Sequence, residues 1–323
     1  MASSPKPEII TFDYQYAPNA QRARNLLNLT GLKYSICEQP FVQPRPIVQN
    51  LGITYRRVPV NAIGKDVYPD NRTFLDAILT IFADEKGVKE LVRSKHDEGY
   101  EAFGYRMFWN LLEILPDTVY NETMVKDRAD LYSMLSKHDY REVRPAAIQA
   151  FKQFLDIIEH DFLADVDSNG PWIAGAKPGV ADLQAAWIPK FTLETIDYAN
   201  GASAGKEGEG ITPEHYPRVF KWLKLFPNHV PENEATKVSG EEASERILKA
   251  PYAAKDIGVD ETGDSTGFKK GDKVQIATTD DTTPGNMAQY GTLVGLNRKE
   301  QVIQLDNGLR LHFPRIGYSL KKA

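Results

Sequence analysis

A turn that leads from a predicted strand into a predicted helix carries residue types suited to holding an anion. It contains Tyr14, Tyr16, Ala17 and Asn19. Backbone N–H groups are free at the start of a helix and the helix dipole is positive there, so this turn favours a bound anion. A thiolate is one anion that such a turn would stabilise.

Two further segments could contact an amino-acid-like ligand. Pro59 opens a predicted strand, and a cis bond before it would expose the backbone of Val58. Asp70 and Asn71 open a predicted helix, where they could cap the helix or receive an α-ammonium and carboxylate. These two segments and the turn are the candidate ligand-binding residues.

Other catalytic chemistries find little support in the sequence. Cys37 falls within a predicted strand, which argues against a catalytic protein thiolate. The histidines show no metal-ligand spacing, and residues 165–176 lack the glutamate that must end a calcium loop. We therefore predict no metal site.

Alternating strands and helices are predicted in the first part of the chain. The strands are predicted at 9–14, 34–38, 57–60 and 66–68, and the helices at 21–29 and 72–83. The order β-α-β followed by β-β-α is typical of a thioredoxin-like layer. We expect a thioredoxin-like domain over residues 1–92.

The apolar residues then change to helical periodicity. Tyr105, Phe108, Trp109 and Leu112 show the i, i+3, i+4, i+7 spacing of one helix face. Two similar stripes follow further along the chain. We expect an all-helical domain over residues 93–231, in which such stripes are more often packing faces than ligand sites.

An acidic segment at 232–266 follows and is a predicted linker. It carries one predicted helix, at 241–249, because Ser239 stands three residues before Glu242 as in a capping box. Residues 267–323 show the alternating pattern of four or five strands, which predicts a small β-barrel domain. The expected fold class is α+β, with several domains.

One hairpin in this last region has a predicted register. A three-residue loop with Gly308 in the left-handed conformation would pair Leu305 with Leu309 and Ile303 with Leu311. That register leaves a single apolar face, whereas a two-residue loop would mix polar and apolar side chains on one face.

Composition excludes several classes of protein. The 323 residues are 41% hydrophobic and 26% charged, no apolar stretch approaches the length of a membrane span, and no secretory leader is evident. The single cysteine fits a reducing, cytoplasmic location. The net charge of −5 does not predict nucleic-acid binding. The mildly basic tail at 267–323 could suit an anionic partner, but ordinary solvation of a small domain is the favoured interpretation.

The sequence resembles the glutathione transferase superfamily, and specifically its fungal members. The resemblance covers roughly residues 8–228. It rests on Ala17-Pro18-Asn19-Ala20-Gln21-Arg22, on Val58-Pro59-Val60, on Asp70-Asn71 and on Trp172-Ile173-Ala174-Gly175-Ala176-Lys177-Pro178-Gly179-Val180-Ala181-Asp182.

The resemblance implies roles for these segments. The pair Val58-Pro59 would hold the cysteinyl backbone of glutathione through a cis-proline turn, and Asp70-Asn71 would grip its γ-glutamyl end. The segment before Asp182 looks like the N-capping box of the family's helical domain. Glutathione is the implied cofactor and a homodimer the implied assembly.

Ala17 departs from the family pattern, because members carry serine or cysteine there to activate or capture the thiol. The surrounding run resembles that of fungal nitrogen-regulator prion proteins, in which asparagine contacts the glutathione sulfur. Asn19 is therefore the candidate catalytic residue, with Tyr14 and Tyr16 as alternatives. Ala17 would also contribute to cofactor binding.

The resemblance implies an enzyme, a glutathione S-transferase or a related isomerase in fungal detoxification or secondary metabolism. It would add the thiolate to a hydrophobic electrophile or isomerise a conjugated molecule, with Tyr105, Phe108 and Trp109 shaping the substrate pocket. Two alternatives remain open. One is a non-catalytic adaptor that uses the β domain for interaction, and the other is a glutathione-independent isomerase or cyclase.

Overall fold

The computed structural model describes residues 6–116, 119–132, 135, 140–196, 210–227, 236–280 and 287–323. Ten strands lie within these residues: β1 Ile9–Asp13, β2 Ser35–Glu38, β3 Val60–Ile63, β4 Asp66–Tyr68, β5 Thr236–Lys237, β6 Lys273–Thr278, β7 Gln289–Leu296, β8 Glu300–Gln304, β9 Arg310–Pro314 and β10 Tyr318–Lys322.

Eleven α-helices lie in the described residues: α1 Pro18–Thr30, α2 Pro46–Asn50, α3 Asn71–Ile81, α4 Lys86–Glu90, α5 Asp97–Ile114, α6 Glu122–Arg128, α7 Tyr140–Ile157, α8 Val166–Asn169, α9 Val180–Lys190, α10 Pro217–Leu223 and α11 Gly240–Lys249. π-Helical turns at Ile158–Phe162 and Phe191–Thr195 continue α7 and α9.

The chain divides into two compact units. One comprises Met1–Ala23, Lys33–Ala83 and Glu232–Ala323, and the other comprises Arg24–Leu32 and Asp84–Pro231. All ten strands belong to the first unit, so we call it the β-sheet unit, and we call the second the helical unit. The boundary expected at residue 231 falls outside the described residues.

The β-sheet unit contains one continuous sheet, in the order β10-β6-β7-β8-β9-β4-β3-β1-β2-β5. Strands β1 to β4 have thioredoxin-like connectivity, with β1 parallel to β2 and antiparallel to β3. Strand β9 pairs in parallel with β4, so the C-terminal strands extend the N-terminal sheet. Residues 267–323 thus share a sheet with the thioredoxin-like strands.

The two parts of this sheet also share a hydrophobic core. Phe12 and Val67 from the N-terminal strands lie in the same buried cluster as Leu293, Leu311 and Phe313 from the C-terminal strands. Each of these five side chains is at most 1% exposed. Because burial of apolar area stabilises a fold in proportion to that area, the C-terminal strands contribute directly to the stability of the thioredoxin-like layer.

Several local predictions for the β-sheet unit are confirmed. Gly308 has φ of 87°, Leu305 N–H donates to Leu309 C=O, and Ile303 pairs with Leu311, which is the register expected of a three-residue loop. The helix predicted after Ser239 is α11, and Ser239 Oγ accepts from the backbone N–H of Glu242.

A buried histidine joins β4 to the C-terminal strands. His312 lies between two carboxylates, with Nε2 at 3.0 Å from Asp66 Oδ1 and Nδ1 at 2.7 Å from Glu300 Oε1. Its ring stacks on Tyr68. Burial lowers the pKa of His312, but the hydrogen bonds and charges of the two carboxylates raise that pKa more, so it lies above its ordinary value of 6.5.

The raised pKa of His312 predicts a pH-dependent stability. A folded-state pKa above the unfolded value stabilises the fold fully below about pH 6.5, and this contribution is lost as pH rises through the folded-state pKa. Urea unfolding of the wild type and of His312→Gln should therefore show a stability advantage of the wild type that is larger near pH 6 than near pH 9. An advantage that is constant with pH would contradict the prediction.

The helical unit is organised around another buried carboxylate. Asp182, near the start of α9, is 0% exposed and accepts from the backbone N–H groups of Ile173 and Gly179 and from the indole Nε1–H of Trp222, over 2.8–2.9 Å. The expected capping arrangement at Gly179 is therefore present as the bond from its N–H to Asp182. This side chain connects the loop before α9 to α10.

Asp182→Ala should destabilise the helical unit strongly. Each buried donor left without a partner costs about 1–3 kcal/mol, so we expect a loss of roughly 3 kcal/mol or more in the free energy of unfolding. Denaturant unfolding followed by circular dichroism measures it. Asp161→Ala, at an exposed position, is the matched control and should change stability by less than about 0.5 kcal/mol. Equal stability of both variants would contradict this assignment.

No helix among the described residues is both long enough and apolar enough to cross a membrane.

Candidate functional site

Three strand ends meet at one edge of the thioredoxin-like sheet, which we call the ligand edge. Strand β1 ends there at Asp13, and the pairing of Phe12 with Val60, continued by two residues, places Val58 opposite Tyr14. Strand β4 ends at the same edge, because its Tyr68 pairs with Asn61 near the start of β3. The three segments singled out in the sequence therefore leave the sheet at the same edge.

Asn71 ties two helix starts together at the ligand edge. Its Nδ2 donates to the backbone C=O of Asn19 over 2.8 Å, which links the first turn of α3 to the first turn of α1. The Asn71 side chain is buried, and its Oδ1 has no hydrogen-bond partner among the described residues. A buried acceptor without a donor is costly, so a ligand donor that reached this oxygen would remove that cost.

Asp70 caps α3 and is held by neighbouring donors. Its Oδ1 accepts from the Arg72 backbone N–H over 2.8 Å, and the Arg72 guanidinium lies beside both carboxylate oxygens. Burial raises the pKa of Asp70, but the Arg72 charge and hydrogen bonds outweigh it, so that pKa lies below its ordinary value. The group is therefore an anion at neutral pH.

The segment before β3 has the geometry that the resemblance implied. The Val58–Pro59 peptide bond is cis. Within the described part of the chain, neither the N–H nor the C=O of Val58 takes part in a hydrogen bond. Both groups are thus free for the backbone of a peptide ligand.

The remaining candidates of the turn differ in accessibility. Ala17 is 1% exposed and lies just before α1, whereas Tyr16 is 57% exposed. The Tyr14 ring packs edge-on against Phe41 and lies under the Arg45 guanidinium. Asn19 is partly exposed in the first turn of α1. Of these side chains, Asn19 combines a polar amide with a position at a helix start.

The aromatic residues predicted for a substrate pocket lie together in the helical unit. Phe108 is 5% exposed and stacks on Trp187, with ring centroids 5.7 Å apart. Tyr105 and Trp109 pack against Phe108 and are partly exposed. Phe108 is thus the buried member of the three, and the other two present aromatic surface.

The structure adds residues of the C-terminal strands to the ligand edge. The Tyr318 hydroxyl donates to Asp70 Oδ2 over 3.0 Å, and Tyr55 lies 2.9 Å from the Tyr318 hydroxyl. Arg57, one residue before Val58, forms a salt bridge of 2.9 Å with Asp280 after β6. No local pattern in the sequence indicates these residues, because their partners are more than 200 positions away.

The described residues contain no cluster of side chains that could hold a metal ion. The single thiol is also unsuited to catalysis, since Cys37 lies in β2 and is 1% exposed. Burial raises the pKa of the Cys37 thiol from 9.0 to about 11.

Cys37 should react slowly with thiol reagents in the folded protein. A rise of two pKa units lowers the thiolate fraction about 100-fold, before any loss from restricted access. Labelling with an aromatic disulfide reagent should therefore be at least about 100-fold slower than that of a free cysteine peptide, and should reach the peptide rate in urea. Rapid stoichiometric labelling of the native protein would contradict the prediction.

Comparisons with known proteins identify the fold. A family model described as "Domain of unknown function (DUF7962)" matches residues 112–235. A GST-like protein from Pseudomonas syringae has a TM-score of 0.70 and 21% identity, over 98% of this chain and 100% of its own. A glutathione transferase from Phanerochaete chrysosporium has a TM-score of 0.48 and 18% identity, over 72% and 100% of the two chains. A search of curated proteins found no match.

The Pseudomonas syringae structure establishes a glutathione-transferase-like fold for this chain. The predicted α+β fold class, with a C-terminal β region, is confirmed. Because the match covers 98% of the chain, the C-terminal strands belong to the shared architecture. At 21% identity the likeness concerns the fold alone.

Proposed function

We propose that the chain binds glutathione at the ligand edge and is a glutathione transferase-related enzyme. The observation that carries the proposal is the buried, unpartnered Oδ1 of Asn71, the residue that follows the Asp70 carboxylate in the chain. A γ-glutamyl end brings an α-ammonium, whose N–H groups these acceptors suit. The free backbone of Val58, next to the cis bond to Pro59, supports binding of the cysteinyl residue.

Asn19 is the proposed catalytic residue for the thiol, with Tyr14 and Tyr16 as alternatives. A thiol with a pKa of about 8.5 is only about 3% ionised at pH 7, so a lowered pKa can raise the thiolate population about thirtyfold. One amide donor together with the start of a helix can stabilise a thiolate by about 1.5–3 kcal/mol in a partly dry site. Because Ala17 has no hydroxyl or thiol, the Asn19 amide and the α1 dipole would stabilise the thiolate.

The second substrate in this proposal is a small hydrophobic molecule. It is an electrophile that takes the thiol, or a conjugated compound that glutathione isomerises. The partly exposed rings of Tyr105 and Trp109 support an apolar binding surface in the helical unit. The sequence resemblance supports a cytoplasmic homodimer and a role in fungal detoxification or secondary metabolism, and these belong to the proposal.

Calorimetric titration with glutathione tests the proposal, followed by a conjugation assay with an aromatic electrophile. We expect micromolar-to-millimolar binding and measurable turnover. Asn71→Ala should weaken binding about tenfold or more, because it removes an acceptor for a charged donor. Asn19→Ala should lower kcat more than it raises KM for glutathione, since its amide contacts the thiolate.

Asn50→Ala is the matched control, because Asn50 is exposed at the end of α2. Its binding and turnover should equal those of the wild type, and thermal unfolding should show that all three variants are folded. Absence of glutathione binding to the wild type would refute the proposed function. Binding with unchanged turnover in Asn19→Ala would remove Asn19 from the mechanism.

A further inference from the structure

Strand β10 begins at the ligand edge, and its first residue contacts the proposed glutathione site. The hydroxyl of Tyr318 donates to Asp70 Oδ2 over 3.0 Å. Burial raises the pKa of Tyr318 well above its ordinary value, so the hydroxyl remains a proton donor at physiological pH. A residue near the end of the chain therefore engages the carboxylate proposed to receive an α-ammonium.

The acceptor capacity of Asp70 is filled by these contacts. Oδ1 accepts from Arg72 N–H and Nε–H, at 2.8 and 3.2 Å. Oδ2 accepts from Arg72 Nη2–H at 3.3 Å and from the Tyr318 hydroxyl. A carboxylate offers about four lone-pair sites, so a further donor must replace one of these four.

Tyr318 is the donor that a ligand can replace most readily. Three of the four bonds come from Arg72, which contributes a fixed backbone amide and a positive charge. Hydrogen bonds between charged groups are stronger than those from a neutral hydroxyl. An incoming ammonium would therefore take the place of Tyr318 on Oδ2.

We propose that Tyr318 is a specificity-determining residue of the glutathione site, whose hydroxyl competes with the ligand's α-ammonium for Asp70. This inference rests on the proposed function. A ligand with the same peptide but no α-ammonium meets no such competition. The C-terminal strand thus lowers the selectivity of the site for an amino-terminated ligand.

Neighbouring rings hold Tyr318 in position. Its ring lies 5.4 Å from that of Phe313, and the Tyr55 hydroxyl lies 2.9 Å from its oxygen. Because Tyr318 donates to Asp70, Tyr55 donates to Tyr318. Tyr318→Phe removes only the competing hydroxyl and retains the ring packing. Tyr55→Phe leaves the bond from Tyr318 to Asp70 in place and is the matched control.

The test compares two ligands on three proteins by calorimetry. The ligands are glutathione and glutaryl-cysteinylglycine, which lacks only the α-amino group. We expect Tyr318→Phe to raise the affinity for glutathione about tenfold, since a vacated acceptor on a charged group becomes available. The affinity for the analogue should change less than twofold. Tyr55→Phe should bind both ligands as the wild type does.

Other outcomes overturn the inference. If Tyr318→Phe lowers the affinity for both ligands by the same factor, Tyr318 only supports the fold of the site. If the ratio of the two affinities is the same in all three proteins, Tyr318 does not compete for Asp70. If neither ligand binds any of the proteins, the proposed function itself falls, and the inference falls with it.

A measurement on the wild type does not depend on the stability of the variant. With tyrosine labelled at ¹³Cζ, glutathione should shift the Tyr318 resonance, assigned as the one missing from the spectrum of Tyr318→Phe, as the hydroxyl leaves Asp70, and glutaryl-cysteinylglycine should not shift it. Equal shifts with both ligands would exclude the competition.

Discussion

A carboxylate wholly removed from solvent constrains the β-sheet unit. Asp66 is 0% exposed, and a buried charge must be paired and hydrogen-bonded. Its Oδ2 accepts from the backbone N–H groups of Ala253 and Ala254, and its Oδ1 faces His312 Nε2. These partners lie 187 to 246 positions further along the chain. The hydrogen bonds that Asp66 requires therefore hold the segment after α11 and strand β9 against the thioredoxin-like strands.

The pairing of β9 with β4 brings residues of the C-terminal part of the chain to the ligand edge. Because β9 runs parallel to β4, the residues after β9 emerge where β4 leads into Asp70. Gly317, between β9 and β10, has φ of 83°, a left-handed conformation that favours glycine. The salt bridge between Arg57 and Asp280 supports the segment before Val58. Residues from both ends of the chain thus surround one candidate site.

Local elements could be predicted from the sequence because their causes are local. The turn at Gly308 and the cap at Ser239 involve residues two to four positions apart, and the structure shows both. The short helix α2, which begins at Pro46, was missed because a proline-rich stretch gives no apolar periodicity. Residue types and helix starts indicated the segments that carry Asn19, Val58, Asp70 and Asn71, a family resemblance implied their roles, and the structure brings the segments to one edge.

Long-range pairing could not be predicted in the same way. Val67 of β4 pairs in parallel with Leu311 of β9. The alternation of apolar and polar residues shows which face of a strand is buried, but it does not show which other strand lies beside it. The bond from Tyr318 to Asp70 spans 248 positions and leaves no spacing to detect. The sequence predicted the C-terminal β region but not its pairing with β4, and burial of Asp66 and of the shared apolar core accounts for the continuous sheet.

Two hydrogen-bond acceptors of the ligand edge, Asn71 and Asp70, differ in whether they already have donors. Asn71 offers a neutral oxygen with no partner among the described residues, whereas Asp70 is charged and already carries four hydrogen bonds. At the first acceptor a ligand ammonium would displace no donor but must reach an oxygen that is enclosed in this structure, and it would gain the second only by displacing a donor. The affinity for the ligand's α-ammonium then depends on how much stronger its hydrogen bond to Asp70 is than the bond from the donor that it displaces. Because the displaced donor is the Tyr318 hydroxyl, strand β10 lowers the net gain in binding free energy from the contact between the ammonium and Asp70.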